Sequence, residues 1–277
     1  MDHYKDEKNK GEPMKKLIVV ADDFGLSEAY SIGAIKAYKE GIVTVLSLMS
    51  NMDTAEFAVK LRDKECPEAP LAAHINFVQG KPVSNNVSSM VDEKGFFYKS
   101  RMWKSENPND TKCVGEVVVT YEDAKRETIA QLERHKELTG QHPNHIEPHS
   151  AGNKNTWQAG LEVMNEYKIH GMWQEKESEL LYYGHELIMT NEAYMKALHT
   201  GITAEMFMDD ICGILSSPHE YNILHFHPGY LDAYVIDNSS LTIPRVRDLQ
   251  LLTDPLVKKW LEDNNIELVD FGALYKK

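Results

Sequence analysis

Apolar and polar positions along the first eighty residues fall into runs of two kinds. Leu17-Ile18-Val19-Val20-Ala21 is continuous and rich in β-branched residues, which predicts a strand covered on both faces and therefore parallel. Asp22-Asp23-Phe24-Gly25-Leu26 follows. Ser27 then offers an N-cap, and a helix is predicted to about Glu40, where Gly41 stops it. Residues 42–49 read as a second buried strand, 55–62 as a second helix and 71–77 as a third strand. Strand and helix in alternation is the rhythm of an α/β protein.

Residues 80–115 break that rhythm. They are polar, with Phe96, Phe97, Tyr98 and Trp103 at the centre, and read either as a functional loop or as surface packing. A long helix is predicted over 121–138, closed by Gly140. His145-Ile146-Glu147-Pro148-His149 resembles a strand end, and Trp157, Leu161 and Met164 stand at helical spacing as a core stripe. Residues 174–220 show helical stretches at 193–198 and 204–215 but predict no strand. A strand over 221–226 runs into His227-Pro228-Gly229, and helical pattern resumes from Pro244 to 252. Asp254-Pro255 starts another helix, and 266–271 closes as a strand. Six or seven strands in this order predict a distorted or incomplete (β/α) barrel in a single domain. No GxGxxG follows the first strand, so a nicotinamide site has no support.

Composition narrows the class. The chain has 277 residues with no Pro/Gly/Ser-rich linker, which suits one domain over 14–277 preceded by a polar tail over 1–13. That tail has no apolar core and is not a secretory signal. No apolar run spans a bilayer. A net charge of −13 argues against nucleic acid and against anionic membranes as partners. Cys66, Cys113 and Cys212 are scattered, as expected of reduced thiols in a cytoplasmic protein.

Polar residues collect where strands end: Asp22 and Asp23 after the first, His74 in the third, His145 and His149 in the next, His225 and His227 later. That rim is where α/β barrels build active sites. Singly, an Asp there is as readily a helix cap and a His more readily a core residue. Together they suit a divalent ion held by one Asp and two His, with open positions for water and substrate. Adjacent aspartates cannot point the same way in a regular strand. A turn at the strand end lets one bind metal and leaves the other as a base. No GxSxG elbow and no HExxH is present.

The run V-A-D-D-F-G-L-S-E-A, with G-I-V-T-V-L-S-L-M at 41–49, resembles the start of the YdjC-like carbohydrate deacetylases, a family that includes chitooligosaccharide deacetylases. A-H-I-N-F at 73–77, T-G-Q-H-P-N-H-I-E-P-H at 139–149, H-P-G-Y at 227–230 and P-R-V-R-D-L at 244–249 are similar to later blocks of that family, in order. The resemblance implies metal ligands at Asp23, His74 and His149 and a general base at Asp22. His227 is the candidate general acid, with Arg245 near the site orienting a carboxylate. The implied metal is Mg²⁺, although Zn²⁺ or another divalent ion also suits the set. The implied reaction is hydrolytic removal of the N-acetyl group from an amino sugar or oligosaccharide, phosphorylated or not. The implied partner is a small carbohydrate, and a homo-oligomer is compatible with it. Two departures stand out: Glu147 replaces an Asp, and Ser150-Ala151-Gly152-Asn153 replaces a histidine-rich run. They keep open a different hydrolytic or lyase reaction on a sugar derivative, or a sugar-binding protein without activity.

Overall fold

The computed structural model describes residues 14–105, 113–172, 181–183 and 200–275. The predicted tail over 1–13 and the predicted helix over 193–198 lie outside the described residues. The first half of the chain runs β1 (Lys15–Phe24), α1 (Glu28–Glu40), β2 (Val45–Leu48), α2 (Ala55–Glu65) and β3 (Leu71–Ile75). It continues with α3 (Tyr121–Thr139), β4 (His145–Pro148), α4 (Lys154–Tyr167), β5 (His170–Gly171) and β6 (Leu181–Tyr183). The remainder is α5 (Ala204–Met208), β7 (Tyr221–Phe226), α6 (Ala233–Asn238), α7 (Ile243–Leu252), α8 (Pro255–Asp263), β8 (Ile266–Leu268) and α9 (Phe271–Tyr275).

Every pairing between these strands is parallel. The order is β5-β4-β3-β2-β1-β7-β6, with β8 beside the N-terminal part of β1. β5 and β6, the two ends of that row, do not pair. The sheet is thus an incomplete α/β barrel, as the alternating pattern predicts.

Local chemistry places the ends of the elements. Ser27 accepts from the Tyr30 backbone N–H to start α1, and Asp254 accepts from the Leu256 N–H to start α8. Gly140, in the left-handed region at φ 84°, ends α3.

Three expectations need correction. No strand is predicted over 174–220, yet β6 forms there; three residues are too few to display a period. The helix expected over 204–215 stops at Met208, because Asp210 turns left-handed (φ 61°) and accepts from the Leu215 and Ser216 N–H groups. The last strand ends at Leu268 rather than 271, and Phe271 instead opens α9. The aromatics of the 80–115 insertion divide. Phe97 and Trp103 are buried with Val87, Met90 and Val119 against α3 and α4, while Phe96 stays exposed.

Candidate metal centre

Strand alternation aims the site. Leu17, Val19 and Ala21 of β1 pack outward under the helices, whereas Ile18 and Val20 face inward with Val45, Ala72 and Ile223. Two residues further along each strand, the same parity turns Asp22, His74 and His225 inward. Ile146 packs outward, so its neighbours His145 and Glu147 also face the interior.

Asp23 is the exception to alternation, which alone would turn it outward. Its φ is 61°, and the β1–β2 register shifts between Ala21 and Phe24. Asp tolerates this left-handed conformation better than most residues. The turn swings Asp23 inward, toward His74 and His149.

Asp23 Oδ1 lies 2.8 Å from His149 Nδ1 and 3.1 Å from His74 Nε2. Those two nitrogens are 3.1 Å apart. Arg245 donates from Nη2 to Asp23 Oδ2 at 2.7 Å. The Arg245 Nε donates to the Leu241 carbonyl, and its guanidinium lies over the Tyr30 ring. Tyr30 in turn donates its hydroxyl to the Asp22 carbonyl at 2.6 Å.

Burial would push the Asp23 carboxyl up, but His149 and Arg245 overcome it and hold the group well below the usual range. Asp22 differs: burial raises it, and His74 and His225 only partly offset that. Asp22 Oδ1 and His74 Nδ1 are buried without hydrogen bonds among the described residues, 3.8 Å apart. Burial pulls His227 down to about 3, so its imidazole is neutral at neutral pH. Its backbone N–H donates to Asp248.

Beneath these residues lies a second buried group. Glu147 binds His145 Nε2 at 2.5 Å through one oxygen and His225 Nε2 at 3.1 Å through the other. Tyr275 of α9 meets His145 Nδ1 at 2.6 Å, and Phe271 stacks on the same ring. Burial opposes charge on His225, yet Glu147 and Asp22 raise it to about 9.

The sequence-derived candidates therefore meet. Asp23, His74 and His149 bring one ligand atom each within 4.8 Å of one another. Asp22 borders His74, Arg245 fixes Asp23, and His227 lies within electrostatic reach of Asp23, Arg245, His74 and His149. His145, Glu147 and His149 do not act as one row, because His149 lies past the end of β4 and leaves its neighbours to the lower group. Sequence reasoning missed Tyr30 and Asp248. Asp248 stands three residues after Arg245 on α7, and that helical spacing was a usable signal. Trp157 also needs correction. The stripe it heads is buried at Met164 (1% exposed), but Trp157 itself is 47% exposed. It sits in the first turn of α4, in the same cavity wall as Pro148, His149 and Ser150 after β4.

An open parallel α/β barrel with a carboxylate–histidine cluster at the C-terminal rim of its strands is the class that fold and site define. Residues 16–263 match the model of the YdjC-like protein family, and the chain belongs to that family. It is 31% identical over 260 residues to a carbohydrate deacetylase of Clostridium beijerinckii, covering 92% of this chain and 98% of the relative. It is 28% identical over 278 residues to carbohydrate deacetylase 2 of Listeria innocua, covering 95% and 100%. A solved structure from Enterococcus faecalis, assigned to cellobiose-phosphate cleavage, superposes with a TM-score of 0.74 at 23% identity, covering 94% and 98%. No described helix is long and apolar enough to cross a membrane.

Proposed function

We propose that this chain is a metal-dependent hydrolase that removes the N-acetyl group from an acetylated amino sugar or oligosaccharide, phosphorylated forms included. Relatives named as carbohydrate deacetylases along nearly the whole chain support the reaction class. One observation carries the metal. Asp23 Oδ1, His74 Nε2 and His149 Nδ1 form a triangle with sides of 2.8, 3.1 and 3.1 Å. Protons cannot satisfy all three sides, because two N–H groups aimed at the carboxylate confront each other across the third. A cation facing all three lone pairs can.

Mg²⁺ or Zn²⁺ fits two imidazoles and a carboxylate. Held by Asp23, His74 and His149, it would supply polarisation of the acetamide carbonyl and a lowered pKa for water. Arg245 keeps Asp23 ionised and fixed for that role. Asp22 accepts the proton of the attacking water, and its burial makes it a stronger base than an exposed Asp. The departing amine then needs a proton. His227 is neutral and within electrostatic reach of Asp23, His74 and His149, so it serves as the acid only once it has itself gained a proton.

Acetate release from N,N′-diacetylchitobiose is the test. The metal-loaded protein should release acetate, a chelator should abolish release, and Asp22→Asn should lower turnover at least ~100-fold while metal content persists. Full activity in Asp22→Asn, or in chelated protein, would remove the assignment.

A further inference from the structure

A cavity of about 470 Å³ opens directly beside His149. Its walls include Phe77, His149, Ser150, Lys154 and Trp157. The volume suits a small organic ligand. The loop after β4 shapes it. Ser150 is left-handed at φ 58°, and no side chain from 150 to 152 is larger than serine, so the space beside His149 stays open. Asn153 and Thr156 then lock the start of α4 through a reciprocal pair of hydrogen bonds of 3.0 and 2.8 Å. Trp157 follows at once, so its ring is presented on a rigid support.

A tryptophan that is 47% exposed at the mouth of a cavity adds little to packing. Phe77, 2% exposed, gives the cavity an apolar wall. Ser150 and Lys154 place polar groups at the same opening, and Lys154 forms no ion pair among the described residues. An apolar aromatic face with polar groups at its margin complements a pyranose ring, which presents C–H bonds on its faces and hydroxyls around its edge. A wholly apolar ligand would leave the Ser150 and Lys154 margin unmatched. Because His149 belongs both to the cavity and to the triangle with Asp23 and His74, an occupant adjoins the reacting group.

We infer that this cavity binds the sugar unit next to the one that carries the acetamide, with its ring stacked on Trp157. Trp157 and the 150–154 loop then determine preference for an oligosaccharide over a single sugar. As an assignment of substrate position this rests on the deacetylase reading; as a binding site it does not.

Calorimetry with N,N′-diacetylchitobiose and N-acetylglucosamine tests the inference on the intact, metal-loaded chain, with acetate release measured in parallel. The wild type should bind the disaccharide at least about tenfold more tightly than the single sugar. Trp157→Ala should erase most of that difference and Trp157→Phe should keep most of it, with both variants melting within a few degrees of the wild type. Undiminished disaccharide preference in Trp157→Ala, or none in the wild type, overturns the inference. Acetate release that persists alongside such a result leaves the deacetylase reading standing. Tight, Trp157-dependent binding without acetate release sinks that reading and keeps the cavity.

Discussion

Asp23 meets two demands that a regular strand cannot meet together. It follows an inward-and-outward alternation in which Asp22 takes the inward place, and it still reaches His74 and His149. The left-handed turn at φ 61° resolves the conflict at a cost of order 1–3 kcal/mol. Asn is the other common residue that tolerates this region, so Asp23→Asn should keep the backbone and an oxygen for Arg245 while losing the charge. The variant should fold, with an unchanged circular dichroism spectrum, yet retain at least roughly tenfold less metal by elemental analysis after gel filtration. Full metal content would rule out Asp23 as a ligand. The adjacent pair and the two histidines were legible in the sequence as polar residues at strand ends. Tyr30 was not, since nothing in a helical tyrosine signals that its hydroxyl will reach back to the Asp22 carbonyl.

At the scale of elements, the site depends on how closely the segment after β7 approaches α1. Gly229 abuts the Tyr30 ring so tightly that an added Cβ would lie 2.0 Å from Cδ2. Gly229→Ala should therefore displace Tyr30 from both the Asp22 carbonyl and Arg245. Overpacking of this kind costs about 1–3 kcal/mol, so the melting temperature should drop by several degrees and acetate release should fall with it. A variant that melts and turns over like the wild type would show that Tyr30 is not needed where it stands. The strand–helix alternation, the caps at Ser27 and Asp254 and the stop at Gly140 were readable because each is fixed by chemistry within a few residues. β5 and β6 were not, because strands of two and three residues exist only through partners elsewhere in the chain. Trp157 shows the same limit: its spacing matches Met164, but whether a first-turn residue is covered depends on where the neighbouring sheet ends.

At the scale of the whole molecule, buried ionisable groups tie stability to pH. His135 on α3 is 1% exposed, with no hydrogen bond to Nδ1 among the described residues. Burial, helped by His142 and Arg62, pulls it down to about 3. Its folded value thus lies below its unfolded value of about 6.5, so the folded state binds fewer protons between those limits. Stability from this group is complete above about pH 6.5 and declines as pH falls toward 3. His135→Leu should remove that slope. Urea unfolding between pH 7 and 5 should show wild-type stability falling more steeply than the variant's, by up to about 1.4 kcal/mol per pH unit. Parallel slopes would contradict a neutral, buried His135.

By itself the sequence determined the α/β rhythm, the boundaries set by local caps and the residue types gathered at the C-terminal ends of strands. These follow from side-chain periodicity and from hydrogen bonds made within a turn or two. Only the tertiary structure decided that the sheet stays open between β5 and β6 and that Asp23 turns inward beside His74 and His149. It alone separated His145, Glu147 and His225 into their own buried group and left Trp157 at the mouth of a cavity. Each of those outcomes depends on groups brought together from distant parts of the chain, where no local period or cap carries the information.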